Sequence, residues 1–316
     1  MKCMRHKIIY LSHGGPQYHE QTRFSALTLL DLILKHGRKD IQIGIFTDQP
    51  KQSLTHDLVS TIYVAPDELH RMRGPLDFVH RIKLEVMRRT EIELGLPFIF
   101  VDSDTRWLKI PDAPLASLAD ANLPGSCRPP IYMHKSEGQI SPTFLPQHWK
   151  LLHMKKEQLT EWSLPLNGWP LWNAGTFGVP VQARGLIDRA LTINDELLPH
   201  STYRNGVEQL TLSLIAASEF QLRPFDEYLA HYWNHGSELP VVVSRFFQSL
   251  PADLSVEEQA MRAGNFPIED SELKAIQRAQ AGLLRKWRRK FRTSLYKRRI
   301  DLKAFWIRRQ RASMTR

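Results

Sequence analysis

Cysteine is nearly absent, with 2 residues in 316, Cys3 and Cys127. Two thiols build neither a disulfide framework nor a zinc ligand set, so a reducing compartment is expected, with the cytoplasm as the location. Also missing is any run approaching the roughly 20 apolar residues of a membrane-spanning helix. The opening MKCMRHKIIYLSHGG has basic residues but too short an apolar run for a secretory h-region. The chain is therefore expected to be neither exported by a signal peptide nor integral to a membrane. Acidic residues are scarce in one place: residues 274–316 hold 16 of the 43 lysines and arginines but only one of the 33 acids, Asp301, a net of +15. The other 273 residues have 27 basic and 32 acidic side chains, a net of −5, so a mildly acidic body carries a basic appendage.

What is present is ordinary globular material: 42% hydrophobic and 24% charged residues, which excludes disorder of the whole chain. Apolar, β-branched runs at Lys7–Leu11, Ile41–Phe46, Thr61–Val64 and Phe98–Val101 predict strands. Between them, helical periodicity runs from Glu20 to Lys35, closed by His36-Gly37, and from Leu76 to Leu94, closed by Gly95. This alternation predicts an α/β domain with a largely parallel sheet, its ligand site beyond the carboxyl ends of the strands. Five prolines between Leu123 and Gln147 predict a long ordered loop. Further helices are expected at Val181–Leu197 and Asn205–Ala217, and the pattern weakens from Pro240 to Ser271. The division expected is a main domain over 1–240, a connecting segment over 241–273 and the tail over 274–316.

After the fourth strand the chain reads FVDSDT, with Asp102 and Asp104 placed so that both carboxylates can converge on one cation. A hard divalent ion held by one or two carboxylates, with its other positions left to water and phosphate, is the usual arrangement for Mg²⁺ or Mn²⁺ on a diphosphate. The bland reading is an Asp turn that caps the next element.

Five motifs follow in order over residues 7–236: Lys83 in the helix before the strand, FVDSDT, LWNAGTFGV around Asn173, VEQ at Val207–Gln209, and HYWNHG from His231. In this order the chain resembles the GT-A glycosyltransferases, and among them the family 8-like nucleotide-diphospho-sugar transferases. The resemblance implies a GT-A fold, a Rossmann-like mixed sheet, and a nucleotide-sugar donor, UDP-linked, held with Mn²⁺ or Mg²⁺. It implies metal ligation by Asp102, Asp104 and His231, with His235 as a rival to His231, and donor contacts from His13, Lys83, Asp102, Asp104, Asn173 and Gly175. Glu208 and Gln209 would lie under the sugar as the catalytic pair, although Asn205 and Glu208 also fit a helix capping box. Where the family continues with Gly and then Lys-Pro, this chain has Gly236 and SELP. Four of eight tryptophans, Trp149, Trp162, Trp169 and Trp172, precede Asn173 and suit either the core or an acceptor platform, with Trp172 favoured for the latter.

On a helical wheel of the tail, Leu284, Trp287, Phe291, Leu295, Leu302 and Phe305 share one stripe and the basic residues lie off it. Such a helix suits the interface of an anionic membrane, at roughly 1 kcal/mol per basic residue near the surface. The function expected is sugar transfer to a saccharide or lipid-linked glycan, such as a lipopolysaccharide core, at the inner face of the membrane, with nucleic acid an unlikely partner. The alternatives are a metal-dependent phosphoesterase or nuclease whose tail binds nucleic acid, and an inactive GT-A-like scaffold.

Overall fold

The computed structural model describes residues 6–124, 127–134, 172–200 and 206–282. The first four strands are β1 (His6–Ser12), β2 (Ile41–Thr47), β3 (Val59–Tyr63) and β4 (Phe98–Val101). They alternate with α1 (Pro16–Lys35), α2 (Pro66–Met72) and α3 (Arg81–Glu93). Then come β5 (Thr105–Trp107), α4 (Asp112–Ala119), β6 (Pro130–His134), β7 (Asn173–Val179), α5 (Leu186–Leu197), α6 (Val207–Glu219), β8 (Gln221–Pro224) and β9 (Leu229–His231). Two further helices, α7 (Leu239–Gln248) and α8 (Val256–Asn265), precede a helix that starts at 270.

Seven strands form one sheet in the order β3-β2-β1-β4-β7-β6-β8. The first four are parallel, β7 is antiparallel to both β4 and β6, and β8 runs parallel to β6. The expected mixed α/β sheet is therefore present. Alternate side chains of the central strands feed two apolar layers. Ile9, Phe46, Phe98, Phe100 and Phe177 point into the layer shared with α3, α5 and α6. Ile8, Tyr10, Ile43, Ile45, Ile99 and Val101 point into the layer shared with α1, α4, α7 and α8. Burial on both faces explains the near-continuous apolar runs of β1, β2 and β4, while β3 at the sheet edge is partly exposed.

Several element boundaries differ from those expected. Residues 76–80 are not helical, because Asp77 is left-handed (φ 49°), a conformation that no helix of L-residues continues. Gly185 (φ 76°) delays α5 in the same way. The capping box expected of Asn205 and Glu208 involves a residue, Asn205, that lies outside the described residues; Gly206 is the N-cap of α6 and offers no side-chain cap. Within the proline-rich loop, Pro130–His134 is a strand between β7 and β8, with Pro130 as its first residue, where a missing N–H is tolerated. The weakly patterned stretch after Pro240 folds as α7 and α8, which bury Val242, Val243, Phe246, Ala260 and Ala263. There the structure does have a capping box, between Ser255 and Glu258.

Candidate active site

The strand order reverses between β1 and β4, because β1 continues outward to β2 and β3 while β4 lies on its other side. In open α/β sheets the ligand crevice lies outside the carboxyl ends at such a switch point. Asp102 is the first residue after β4. Its N–H donates to the Gly175 carbonyl (2.8 Å), which extends the β4–β7 ladder by one rung. Thr105 Oγ1 donates to the Asp102 carbonyl (2.8 Å) and closes the turn. A separate two-stranded ribbon pairs β5 with β9, so that His231 stands opposite Thr105, and the Tyr232 N–H donates to the Asp104 carbonyl (2.9 Å). Two residues 127 apart in sequence are thus brought together by backbone pairing, and His231 Nε2 lies 3.1 Å from Asp104 Oδ1.

One ligand atom from each of Asp102, Asp104 and His231 lies within 4.8 Å of the others. Among the described residues this is the one group of three or more such side chains close enough to hold a metal ion. Two carboxylate oxygens and one imidazole nitrogen form a donor set suited to Mn²⁺ or Mg²⁺. His235 lies instead near Glu238 and Asp270, at 3.9 and 3.7 Å.

The conformation of β7 allows this packing. A Cβ on Gly175 would lie 2.1 Å from His231 Cε1, so the imidazole occupies the space that a side chain would need. Asn173 Oδ1 accepts the Gly175 N–H (2.7 Å) and fixes the start of the strand. The Asn-Ala-Gly start of β7 thus serves the ring of His231, a role that sequence reading did not assign to it.

Lys83 projects from α3 to the end of β4 and the start of β7, which are neighbours in the sheet. Its Nζ lies 2.8 Å from Asp102 Oδ2 and 3.1 Å from Glu208 Oε1, and it donates to the Ala174 carbonyl (3.1 Å). Burial alone would lower its pKa, but the two carboxylates outweigh that and hold it well above the ordinary lysine value. Glu208 is raised by burial, with Lys83 opposing. For Asp104, burial pushes the pKa up, but the His231 ring wins and holds it below the usual carboxylate range. His231 is raised in turn: desolvation disfavours its charge, and Asp104 more than compensates.

Gln209 is partly exposed in the first turn of α6, beside buried Glu208. His13 follows β1, its pKa lowered by burial, and the next N–H, that of left-handed Gly14, donates to Asp48 Oδ2 (3.3 Å). Trp172 packs partly buried against the core, and its N–H donates to Ser213 Oγ (3.0 Å); Trp149, Trp162 and Trp169 lie outside the described residues. Sequence reading missed His134, the last residue of β6, whose ring meets that of His231 edge to face with centroids 5.3 Å apart. The only signal was a histidine ending the apolar run PIYMH. Ser12, His19 and Asp48 also adjoin, with Ser12 Oγ 2.8 Å from His19 Nδ1 and Asp48 Oδ1 3.4 Å from His19 Nε2. The cavity beside them is about 10 Å³, space for one water and not for a substrate.

No family model matches the chain, and no curated protein matches it. Among the solved structures similar to it are glycosyltransferases. The galactosyltransferase LgtC, in complex with donor and acceptor sugar analogs, is 10% identical with a TM-score of 0.42, covering 85% of this chain and 99% of its own. Mouse xyloside xylosyltransferase 1 is 11% identical with a TM-score of 0.43, covering 70% and 85%. A glycosyltransferase involved in glycosylation of the major capsid of PBCV-1 is 12% identical with a TM-score of 0.39, covering 75% and 98%.

Proposed function

We propose that the protein is a metal-dependent glycosyltransferase of the GT-A type that moves a sugar from a UDP-linked donor to a saccharide or lipid-linked glycan. The observation that carries this reading is the convergence of Asp102, Asp104 and His231 at the switch point between β1 and β4. The order of sequence motifs supports it independently. Asp102, Asp104 and His231 would hold the ion, which when bound would supply Lewis-acid neutralisation of the diphosphate's charge. Lys83 keeps its proton and holds Asp102 and Glu208 in place, so the carboxylate facing the ion is fixed before the donor arrives. Glu208 lies at the N-terminal turn of α6, and Gln209 beside it is the partly exposed member of the pair that would face the sugar.

A melting-temperature screen of nucleotide sugars with and without Mn²⁺ tests this reading, since a ligand at 100 times its Kd stabilises the folded state by about 2.7 kcal/mol. The expected result is a shift with a UDP-sugar that requires Mn²⁺. No Mn²⁺-dependent shift with any nucleotide sugar would sink the reading.

The same proposal puts the tail on the inner face of an anionic membrane. Its amphipathic stripe lies outside the described residues, and no described helix is long and apolar enough to cross a bilayer. The described part of the last helix packs on the body through Leu273, which is 1% exposed. Truncation should therefore follow residue 282, beyond Leu273. The shortened chain should keep its melting temperature and donor binding but no longer cosediment with phosphatidylserine vesicles. Retained cosedimentation would remove the tail from this role.

A further inference from the structure

The hydrogen bond from Thr105 Oγ1 to the Asp102 carbonyl is the last link of a longer chain. Thr105 Oγ1 lies 2.7 Å from Ser25 Oγ, Ser25 Oγ lies 3.0 Å from the Tyr10 hydroxyl, and Trp107 Nε1 donates to that hydroxyl (2.6 Å). The four side chains come from β1, α1 and β5, and none is more than 3% exposed. Counting protons fixes the direction of the chain, because a hydroxyl has one to give. That of Thr105 goes to the Asp102 carbonyl, so Ser25 donates to Thr105 and Tyr10 donates to Ser25. Tyr10 in turn accepts from the indole, which can only donate. Four donors therefore point one way, out of the apolar layer and onto the backbone of a metal-site residue. A second relay runs beside the first: the Trp107 N–H donates to Thr28 Oγ1 (3.1 Å), which donates to the Ser25 carbonyl (2.7 Å) and ties β5 to α1.

Resting on the metal-site reading above, we propose that Thr105, Ser25 and Tyr10 are positioning residues for Asp102, acting through its backbone carbonyl. In a low-dielectric interior each hydrogen bond polarises the next, so a chain of one direction makes its last bond stronger than Thr105 alone would. The Asp102 N–H is already committed to the Gly175 carbonyl. With the N–H and the carbonyl both fixed, only side-chain rotation is left to the carboxylate, and Lys83 restrains that. Outer-shell partners orient metal ligands in this way, and losing one costs roughly 10–100-fold in affinity. A merely structural chain would lower metal affinity only in step with stability. The two roles separate along the chain, because its far end supports the fold and its near end touches the ligand.

The test uses the full chain made by cell-free synthesis with ¹³C in the aspartate carbonyls and ¹⁵N in serine, so that the Asp102-Ser103 and Asp270-Ser271 peptides alone give correlated signals. Asp270→Asn tells the two apart. In the metal-free protein Thr105→Val, which keeps the branched shape, should move the Asp102 carbonyl upfield, and Thr105→Ser should leave it near the parent. Ser25→Ala should move it less in the same direction, and Tyr10→Phe least. Calorimetry of Mn²⁺ on the same samples should give an affinity lower by about tenfold for Thr105→Val, smaller losses for Ser25→Ala and then Tyr10→Phe, and recovery in Thr105→Ser. Melting temperatures should run in the opposite order, with Tyr10→Phe lowest, because it leaves the buried Trp107 indole N–H without an acceptor. The Ser25 hydroxyl freed by Thr105→Val can turn to a carbonyl of its own helix. If Thr105→Val fails to fold, Ser25→Ala carries both readouts. Affinity losses that follow the order of the melting temperatures overturn the proposal, as does an Asp102 carbonyl that ignores Ser25→Ala. A parent that binds Mn²⁺, with Thr105→Val within about twofold of it, overturns the proposal and leaves the transferase reading standing. A parent that binds no Mn²⁺ sinks the metal site itself and the positioning role with it.

Discussion

On one side of the β4–β7 pairing the sheet is parallel and its strands bury large side chains: Ile8, Ile9 and Tyr10 in β1, then Phe98, Ile99 and Phe100 in β4. On the other side β7 reads Asn-Ala-Gly-Thr-Phe-Gly-Val, with all seven residues buried and four of them small. The first arrangement holds the sheet between its helices by apolar area. The second lowers the surface locally so that polar side chains can come within ligand distance of one another. The imidazole of His231 lies where a Gly175 side chain would be, and Lys83 reaches across to the Ala174 carbonyl. Mass supports the fold on one side, and vacated volume admits the chemistry on the other.

Lys83 is the residue whose loss should break this division most sharply, because it starts on the parallel side and ends among groups of the antiparallel side. Lys83→Met leaves Glu208 buried at 3% exposure without its counter-charge. Removing one member of a buried pair costs about 3–5 kcal/mol, read as a lowered urea midpoint. Adding Glu208→Gln should recover part of that loss, since the uncompensated carboxylate disappears. If the double variant is as unstable as the sum of the two single ones, Lys83 does not join the two sides through Glu208.

Next in size are the carboxylates. Asp104→Asn leaves the Lys83–Asp102 pair intact and removes a charged donor from the ion, so Mn²⁺-dependent UDP binding should fall by more than the roughly 10–100-fold that outer-shell changes cost. Asp102→Asn should do the same and also loosen Lys83. Asp104→Asn should melt near the parent, because the turn lies outside the apolar layers, whereas Asp102→Asn should melt lower, since buried Lys83 loses one of its two counter-charges. Unchanged metal-dependent binding in calorimetry would take the Asp pair out of the site.

Gly175→Ala sharpens the comparison at a single atom. The added methyl meets His231 Cε1 at 2.1 Å, so either the ring or β7 must shift, and overpacking of this kind costs about 1–3 kcal/mol. The change should lower both the melting temperature and the affinity for Mn²⁺, whereas Gly178→Ala, with its nearest neighbour Leu118 Cδ1 at 3.1 Å, should affect stability alone. Equal loss of metal affinity in both variants would mean that the ring of His231 does not depend on that space.

How much of this was legible in the sequence follows the same division. The inner parallel strands β1, β2 and β4 are signalled by apolar runs, since burial on both faces favours apolar residues there, whereas the edge strand β3 has no buried residue. The Asp pair was visible because it follows such a run directly. Strand β6 was hidden because Pro129-Pro130 reads as loop, and the fact that decides otherwise, pairing with β7 and β8, comes from residues far along the chain. His134 was missed with it. Glu208 looked like part of a capping box because the pattern with Asn205 is local, whereas its partner Lys83 lies 125 positions away. Helices α7 and α8 each bury one side, Leu239, Val242, Val243 and Phe246 in α7 and Ala260 and Ala263 in α8, so their helical spacing was present in the sequence and went unread.

The smallest effect is expected at His231, and it separates the two histidines of HYWNHG. His231→Ala removes one neutral ligand that water can replace, so the affinity for Mn²⁺ should fall by about tenfold, less than with either Asp change. His235→Ala should change it by less than about twofold, as ordinary substitutions away from a site do. The two also differ in pH dependence. Burial would lower the pKa of His231, but Asp104 raises it above the ordinary histidine value, and Asp104 itself is held low and stays ionised. An imidazolium cannot ligate, so the cation must displace a proton, and affinity should climb as pH rises through the His231 titration. That slope should be lost in His231→Ala and kept in His235→Ala. A loss of affinity and slope with His235→Ala, and not with His231→Ala, would move the third ligand four residues along the chain and leave β9 with only a structural part in the site.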